Sequence, residues 1–109
     1  LAQAGATVLT VPAAFTVPTG QAHWHLLLRA RAVENACFVI APAQCGTHAD
    51  GRATYGHSLV IDPWGEVLLD MGEAPGLATI DLPLERIEQV RARIPVLSHA
   101  RRFDGPEIA

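Results

Sequence analysis

The spacing of apolar positions changes several times along this chain, and each change marks an element. Residues 6–11 (ATVLTV) are β-branched or apolar on both parities, the pattern of a strand covered on both faces. Pro12 has no N–H to donate and is expected to end that ladder. Residues 21–34 are good helix formers with a wide apolar face that includes Trp24, Leu27, Leu28 and Ala32. Asn35 stands where a left-handed residue can close the helix, and Arg31 and Glu34 are three apart, able to meet on one turn as partly buried structural pins. Residues 37–43 (CFVIAPA) read as a second buried strand running on toward Gln44, Cys45 and His48, before a polar turn at 49–54. Residues 56–62 alternate into a third strand, and Pro63, Trp64 and Gly65 turn tightly into a fourth at 66–70, which makes a hairpin. Residues 77–81 (LATID) predict a fifth strand. Pro83 opens a helix to about Arg93 with Leu84, Ile87 and Val90 at helical spacing, and Pro95 stops it. Residues 96–109 show no clear period and read as an extended tail that needs a surface outside the domain.

Strand, loop, helix and buried strand in succession are the parts of a βαβ unit, so the fold class is α/β. The opening residues, LAQAG, look like the last turn of a helix closed by Gly5, which makes the chain read as a piece of a longer protein. The loop at 13–20 carries Phe15, Thr16, Pro18, Thr19 and Gly20. Loops at the carboxyl ends of strands are where α/β sheets bind ligands, which makes this one a candidate pocket wall.

Composition narrows the classes. With 109 residues, half of them apolar, there is material for one core and not two. A net charge of −3 gives no broad basic field for nucleic acid or an anionic membrane, and the arginines between Arg86 and Arg102 read as a solvated helix face and tail. No stretch has the roughly 18 successive apolar residues of a membrane span, and no charged start leads into an apolar run. The expectation is a soluble, cytoplasmic protein with no nucleic-acid or membrane partner. Cys37 and Cys45, at opposite ends of one extended segment, are expected to remain unbridged.

Candidate chemistry is thin. A thiol nucleophile needs a base in reach, and Cys45 with His48 or His57 is the local pair of the right elements. Proximity in sequence is weak support for such a dyad, and Cys45 is expected to be structural. The same trio, Cys45, His48 and His57, is a poor zinc set, with irregular spacing and no second pair. His23 and His25 are two apart and cannot share a helix face. Glu34 lacks the neighbours that acid–base work requires. There is no phosphate loop, dinucleotide fingerprint or nucleophile elbow. No cofactor or metal is expected.

The blocks PAAFTVPTGQAHW, LLLRARAVENACFVIAPAQCGTH, RATYGHSLVIDPWGEVL and RIPVLSHARR, in that order, resemble the C-terminal part of a nitrilase-superfamily carbon–nitrogen hydrolase, particularly its Nit amidase branch. The resemblance implies a partial α-β-β-α sandwich, a mixed sheet with flanking helices, with residues 1–109 the C-terminal portion of a single domain. It implies a homo-oligomer associating through outer helices and tail. It further implies hydrolysis of a small non-peptide amide, of the deaminated glutathione or ω-amide type, through a cysteine thioester with a Glu base and a Lys oxyanion partner. Those three residues are expected upstream of Leu1, so no catalytic residue lies in this chain. The substrate-binding residues that carry over are Phe15, Thr16, Thr19 and His23, beside Trp24, while His25 stands where the family usually has Glu. The alternative is a non-catalytic scaffold or assembly module of the same fold. A reading frame continuing upstream of Leu1 through a Cys-bearing strand favours the enzyme; an in-frame stop there favours the module.

Overall fold

The computed structural model describes residues 1–105 of the chain. Its elements are β1 (Val8–Thr10), α1 (His25–Asn35), β2 (Phe38–Ala41), β3 (Cys45–Thr47), β4 (Ala53–Tyr55), β5 (Leu59–Ile61), β6 (Val67–Asp70) and α2 (Glu85–Arg93), with single 3-10 turns at Ala2–Ala4 and Val96–His99. Four strands form one mixed sheet in the order β1-β2-β5-β6, with β1 parallel to β2 and the other neighbours antiparallel. β3 and β4 pair separately as an antiparallel hairpin.

Strand alternation and helical periodicity meet at the core. In β2 and β5, Val39 lies opposite Ile61 and Ala41 opposite Leu59, so all four side chains share one face of the sheet. Trp24, Leu28 and Ala32 recur every four residues and pack on that face. Leu9, Val11, Ala13 and Phe15 extend the same surface along the β1 track. Leu27, expected on this face, is 46% exposed, and Leu26, Val33 and Trp64 are exposed with it.

The helix begins earlier than the sequence pattern predicts. Val17–Thr19 forms a helical turn with Pro18 in its first positions, and Gly20–Trp24 continues as a wide π-type turn into α1. Thr16, Thr19 and Gly20 therefore belong to the start of a helix, whereas their Pro- and Gly-rich composition had read as loop. Gly20 is required by packing: a Cβ there would lie 2.2 Å from Tyr55 Cγ. At the other end the left-handed residue is Ala36 (φ 46°), and Asn35 stays helical with its Nδ2 donating to the Arg31 carbonyl at 2.8 Å. Ala36 is fully buried, where an Asn amide would have no water to satisfy it.

Pro12 does not end the parallel track. Val11 N–H donates to Ile40 O at 2.9 Å and Ala13 N–H to Pro42 O at 3.0 Å. Alternate residues of a strand donate to opposite sides, so Pro12 is the residue whose missing N–H would have faced away from β2. The expected fifth strand at 77–81 does not form. After Gly72 the chain passes beside Val60 and Leu69 across the second face of the sheet instead of pairing with β6, and Leu77 is 94% exposed. The polar turn expected at 49–54 is also partly strand, because β4 pairs there with β3.

Polar pins hold the periphery. The buried Asp62 carboxylate accepts the N–H groups of Trp64 (3.0 Å) and Glu66 (2.8 Å) and pairs with Arg86 of α2. Arg29 of α1 donates to Gly65 O at 2.8 Å, fixing the helix to the hairpin turn. Arg91 reaches the carbonyls of Ala36 and Ala6 and the Cys37 sulfur. Arg86 and Arg91 are thus half-buried ties rather than members of a solvated face. Arg31 and Glu34 do pair, at 2.7 Å, but on the surface, not partly buried. Both cysteines are free thiols. Among the described residues no helix is long and apolar enough to cross a membrane. The last tail residues, 106–109, lie outside the described residues.

Gly20→Ala tests the closest approach in this packing. It is expected to destabilise the fold by about 1–3 kcal/mol through overpacking against Tyr55, read from the midpoint shift in urea. Pairing it with Tyr55→Ala should recover part of that loss.

Candidate functional site

The carboxyl ends of β1 and β2 are where the sheet can present a ligand site, because backbone and loops diverge there. The Ala13 and Ala43 backbones are still bridged at this level, with Gln44 N–H donating to Ala13 O at 3.0 Å. Beyond the bridge an open basin begins. One lobe, of about 310 Å³, is lined by Ala14, Thr16, Gln44, His48, Arg52 and Thr54 among others. A second lobe, of about 600 Å³, shares Ala14 and Gln44 with it and extends to Pro42, Ser58 and Gly76.

Of the residues expected to bind substrate, Thr16 lines the basin and the other three do not. Thr19 Oγ1 donates to Thr16 O at 3.1 Å and lies 2.8 Å from Thr16 Oγ1. With the Thr19 proton used on the carbonyl, the Thr16 hydroxyl is the donor in the second bond, and the pair offers lone pairs outward. Phe15 is half-buried against Trp24, ring centroids 4.9 Å apart, and its carbonyl accepts the Tyr55 N–H at 2.9 Å. His23 is exposed on the π-type turn. Gln44, His48, Arg52 and Thr54 were not singled out from sequence as binding residues; they reach the basin because β3 and β4 form a hairpin whose pairing no local pattern announced. At its tip Asp50 pairs with Arg52, Oδ2 to Nε 2.6 Å, and the Arg52 N–H and guanidinium hold the Asp50 carboxyl below its usual range.

The thiol readings separate in three dimensions. His48 Nε2 bonds Thr54 Oγ1 at 2.8 Å, whereas His57 Nδ1 bonds Asp70, so Cys45 does not share a hydrogen bond with either imidazole among the described residues. Cys37 is buried and donates to the Ala6 and Asn35 carbonyls.

A different polar group does assemble. His25 Nε2 lies 2.8 Å from Asp70 Oδ2, and His57 Nδ1 lies 2.9 Å from Asp70 Oδ1. Where the family resemblance places Glu, His25 at the start of α1 thus meets a carboxylate brought by the end of β6. A bulge makes this possible. Val67 pairs with Ile61, but Leu69 pairs with Val60 and Asp70 with Leu59, leaving Leu68 as the extra residue. One extra residue reverses the parity of a strand, so Asp70 falls on the helix-covered face with Leu59, and Leu69 falls on the other. Partial burial pushes the Asp70 carboxyl up, but the Gly72 N–H and the two imidazoles outweigh it and hold the group below its ordinary value.

Residues 1–92 match the profile of the carbon–nitrogen hydrolase family. The chain is 56% identical over 99 residues to the deaminated glutathione amidase of Synechocystis, covering 91% of this chain and 36% of that protein. It is 54% identical over 101 residues to the deaminated glutathione amidase of Rattus norvegicus, covering 93% and 31%. The crystal structure of the Caenorhabditis elegans NitFhit protein superposes with a TM-score of 0.80 at 45% identity, covering 92% of this chain and 24% of that one. The chain therefore spans about a third of the length of the curated relatives it matches.

The bond between His25 and Asp70 ties the start of α1 to the end of β6, and its strength is measurable. His25→Ala and Asp70→Ala, singly and together, should show a coupling energy of about 0.3–1 kcal/mol, the range of partly exposed pairs. Urea denaturation of the four proteins checks it, and strict additivity would mean that the contact is not made in solution.

Proposed function

The chain belongs to the carbon–nitrogen hydrolase family, and from that premise we propose that the protein containing it is an amidase that cleaves a small non-peptide amide. The observation that carries the reading is the 56% identity over 99 residues to the deaminated glutathione amidase of Synechocystis. The substrate class is a small amide that also bears a carboxylate, of the deaminated glutathione or ω-amide type. In the reaction a cysteine thiolate adds to the amide carbonyl, the tetrahedral oxyanion collapses with loss of ammonia, and water cleaves the thioester to leave a carboxylate and free thiol. The thiol, its Glu base and its Lys partner belong to the part of the protein outside these residues.

In this reading the chain supplies wall and specificity. The Thr16 hydroxyl, oriented by its bond to Thr19, presents an acceptor suited to an amide N–H, and Arg52 on the basin wall presents a guanidinium to a carboxylate. Phe15 and His23, one beside the basin and one on the turn above the core, complete the candidate binding set. The finer reading is a cytoplasmic homo-oligomer that uses the exposed Leu26, Leu27 and Val33 of α1 as an assembly surface. The same exposed face is what supports the alternative of a non-catalytic assembly module, and an activity assay separates the two.

In the protein expressed from its full reading frame, Thr16→Val should raise KM for a small ω-amide about tenfold with little change in kcat, the cost of about one lost hydrogen bond made equally in ground and transition states. An unchanged KM would remove Thr16 from the binding set. The 109 residues alone should release no ammonia from any amide, and Cys45→Ser in the full protein should stay within about twofold of the parent rate, since a thiol without an activating base is inert. Thiol-dependent turnover by the isolated chain that disappears with Cys45 would overturn this assignment.

A further inference from the structure

We propose that His25, His57 and Asp70 form a binding site for a single divalent transition-metal ion of the zinc class. None of the three lines the basin, and the proposal stands independently of the amidase reading. They come from three places: the first turn of α1, the segment joining β4 to β5, and the end of β6. One ligand-type atom from each lies within 4.8 Å of the other two. Around a four-coordinate ion with bonds of about 2.0–2.1 Å, ligand atoms stand about 3.3 Å apart. To the one oxygen Asp70 Oδ2, His25 Nε2 and His57 Nδ1 stand at 2.8 and 3.1 Å and need to open by a few tenths of an ångström, and the two ring nitrogens, within 4.8 Å of each other, need to reach the same spacing. Side-chain rotation supplies both movements.

The surroundings hold these groups in place. His57 sits at φ 57°, a left-handed conformation uncommon for a residue with a side chain. It is kept there by its N–H bond to Gly72 O (2.7 Å) and by its carbonyl, which accepts the Trp24 indole N–H at 2.7 Å. Its ring stacks on Tyr55 at 4.2 Å and 23°. Gly72 N–H donates to Asp70 Oδ1 at 2.9 Å and fixes the carboxylate, the kind of outer support that orients metal ligands. In the metal-free cluster the nitrogens facing Asp70 carry protons. On binding, each imidazole keeps one proton on its other ring nitrogen and turns a lone pair to the ion, as neutral His ligands do. Two imidazoles and a carboxylate leave a fourth position for water, and the part-exposed side chains leave a path to it.

The test uses the protein expressed from its full reading frame, stripped with a chelator and titrated with Co²⁺ and then Zn²⁺. The expected result is one Co²⁺ per chain with the visible absorption of a four- or five-coordinate nitrogen and oxygen site, displaced by one Zn²⁺. His25→Gln and His57→Gln keep a hydrogen-bond donor toward Asp70 but ligate poorly, and each should weaken the metal at least tenfold. Circular dichroism establishes that each variant is folded; if His57→Gln is not, because of its positive φ, His25→Gln on the helix decides alone. A stripped parent protein that takes up no Co²⁺ above background, or equal uptake by the parent and a folded Gln variant, overturns the proposal.

Discussion

The burial of Trp24 is the constraint from which much of the structure follows. An indole taken fully out of water must give its N–H to an acceptor, and the one it finds is the carbonyl of His57 at 2.7 Å. That carbonyl points at the helix because Gly56 and His57 both lie in the left-handed region, at φ 72° and 57°. The same twist brings Tyr55 against Gly20, where there is no room for a Cβ, and sets the His57 imidazole beside Asp70. A bulky side chain at position 20 would therefore disturb the Tyr55 ring and, through its stack on His57, the polar cluster beyond it.

The second half of the scaffold is held by charge rather than by apolar area. Asp62 is 1% exposed, and a carboxylate so placed is tolerated only when its lone pairs are occupied. Two backbone N–H groups of its own turn and the Arg86 guanidinium occupy them, so one side chain closes the β5–β6 hairpin and docks α2. Arg29 and Arg91 perform the corresponding task at the hairpin turn and at the end of α1, donating to carbonyls that no strand uses. With the helix-covered face of the sheet filled in this way, the second face carries Ile40, Val60 and Leu69 around an apolar groove of about 230 Å³, flanked by Leu77. A sheet with one packed face and one grooved face is what a layered sandwich looks like when one layer is described without its counterpart.

That asymmetry agrees with a chain spanning about a third of its relatives' length. The working groups of acyl transfer must stand within hydrogen-bond reach of one carbonyl. Among the described residues the basin supplies hydroxyls, an amide and a guanidinium, the groups that hold and orient, and no thiol bonded to an imidazole. In the amidase reading proposed above, the chemistry and the recognition fall on different stretches of the polypeptide, with the basin residues on the recognition side.

Much of the architecture was legible in the residue pattern. The strand around Val8, the apolar stripe of Trp24, Leu28 and Ala32, the buried run at Phe38 and the Pro63–Gly65 turn each follow from local spacing and stereochemistry, and each is present, although Thr10 is exposed and the first strand is not covered on both faces. Collinear blocks carried the family as well. The misreadings share a cause: whether Pro12 interrupts a ladder depends on which neighbour its N–H would have faced, and whether residues 77–81 form a strand depends on an edge being offered to them. The site was less legible still. Thr16 could be read from its place after a strand, but Gln44, His48 and Arg52 meet only through a hairpin whose partners are short and weakly patterned. Asp70 joins His25 and His57 only because one unpaired residue, Leu68, reverses the parity of β6. Local preference sets what each segment becomes, since it acts through neighbours a few residues away; register and facing are set by contacts between segments far apart, which no single stretch contains.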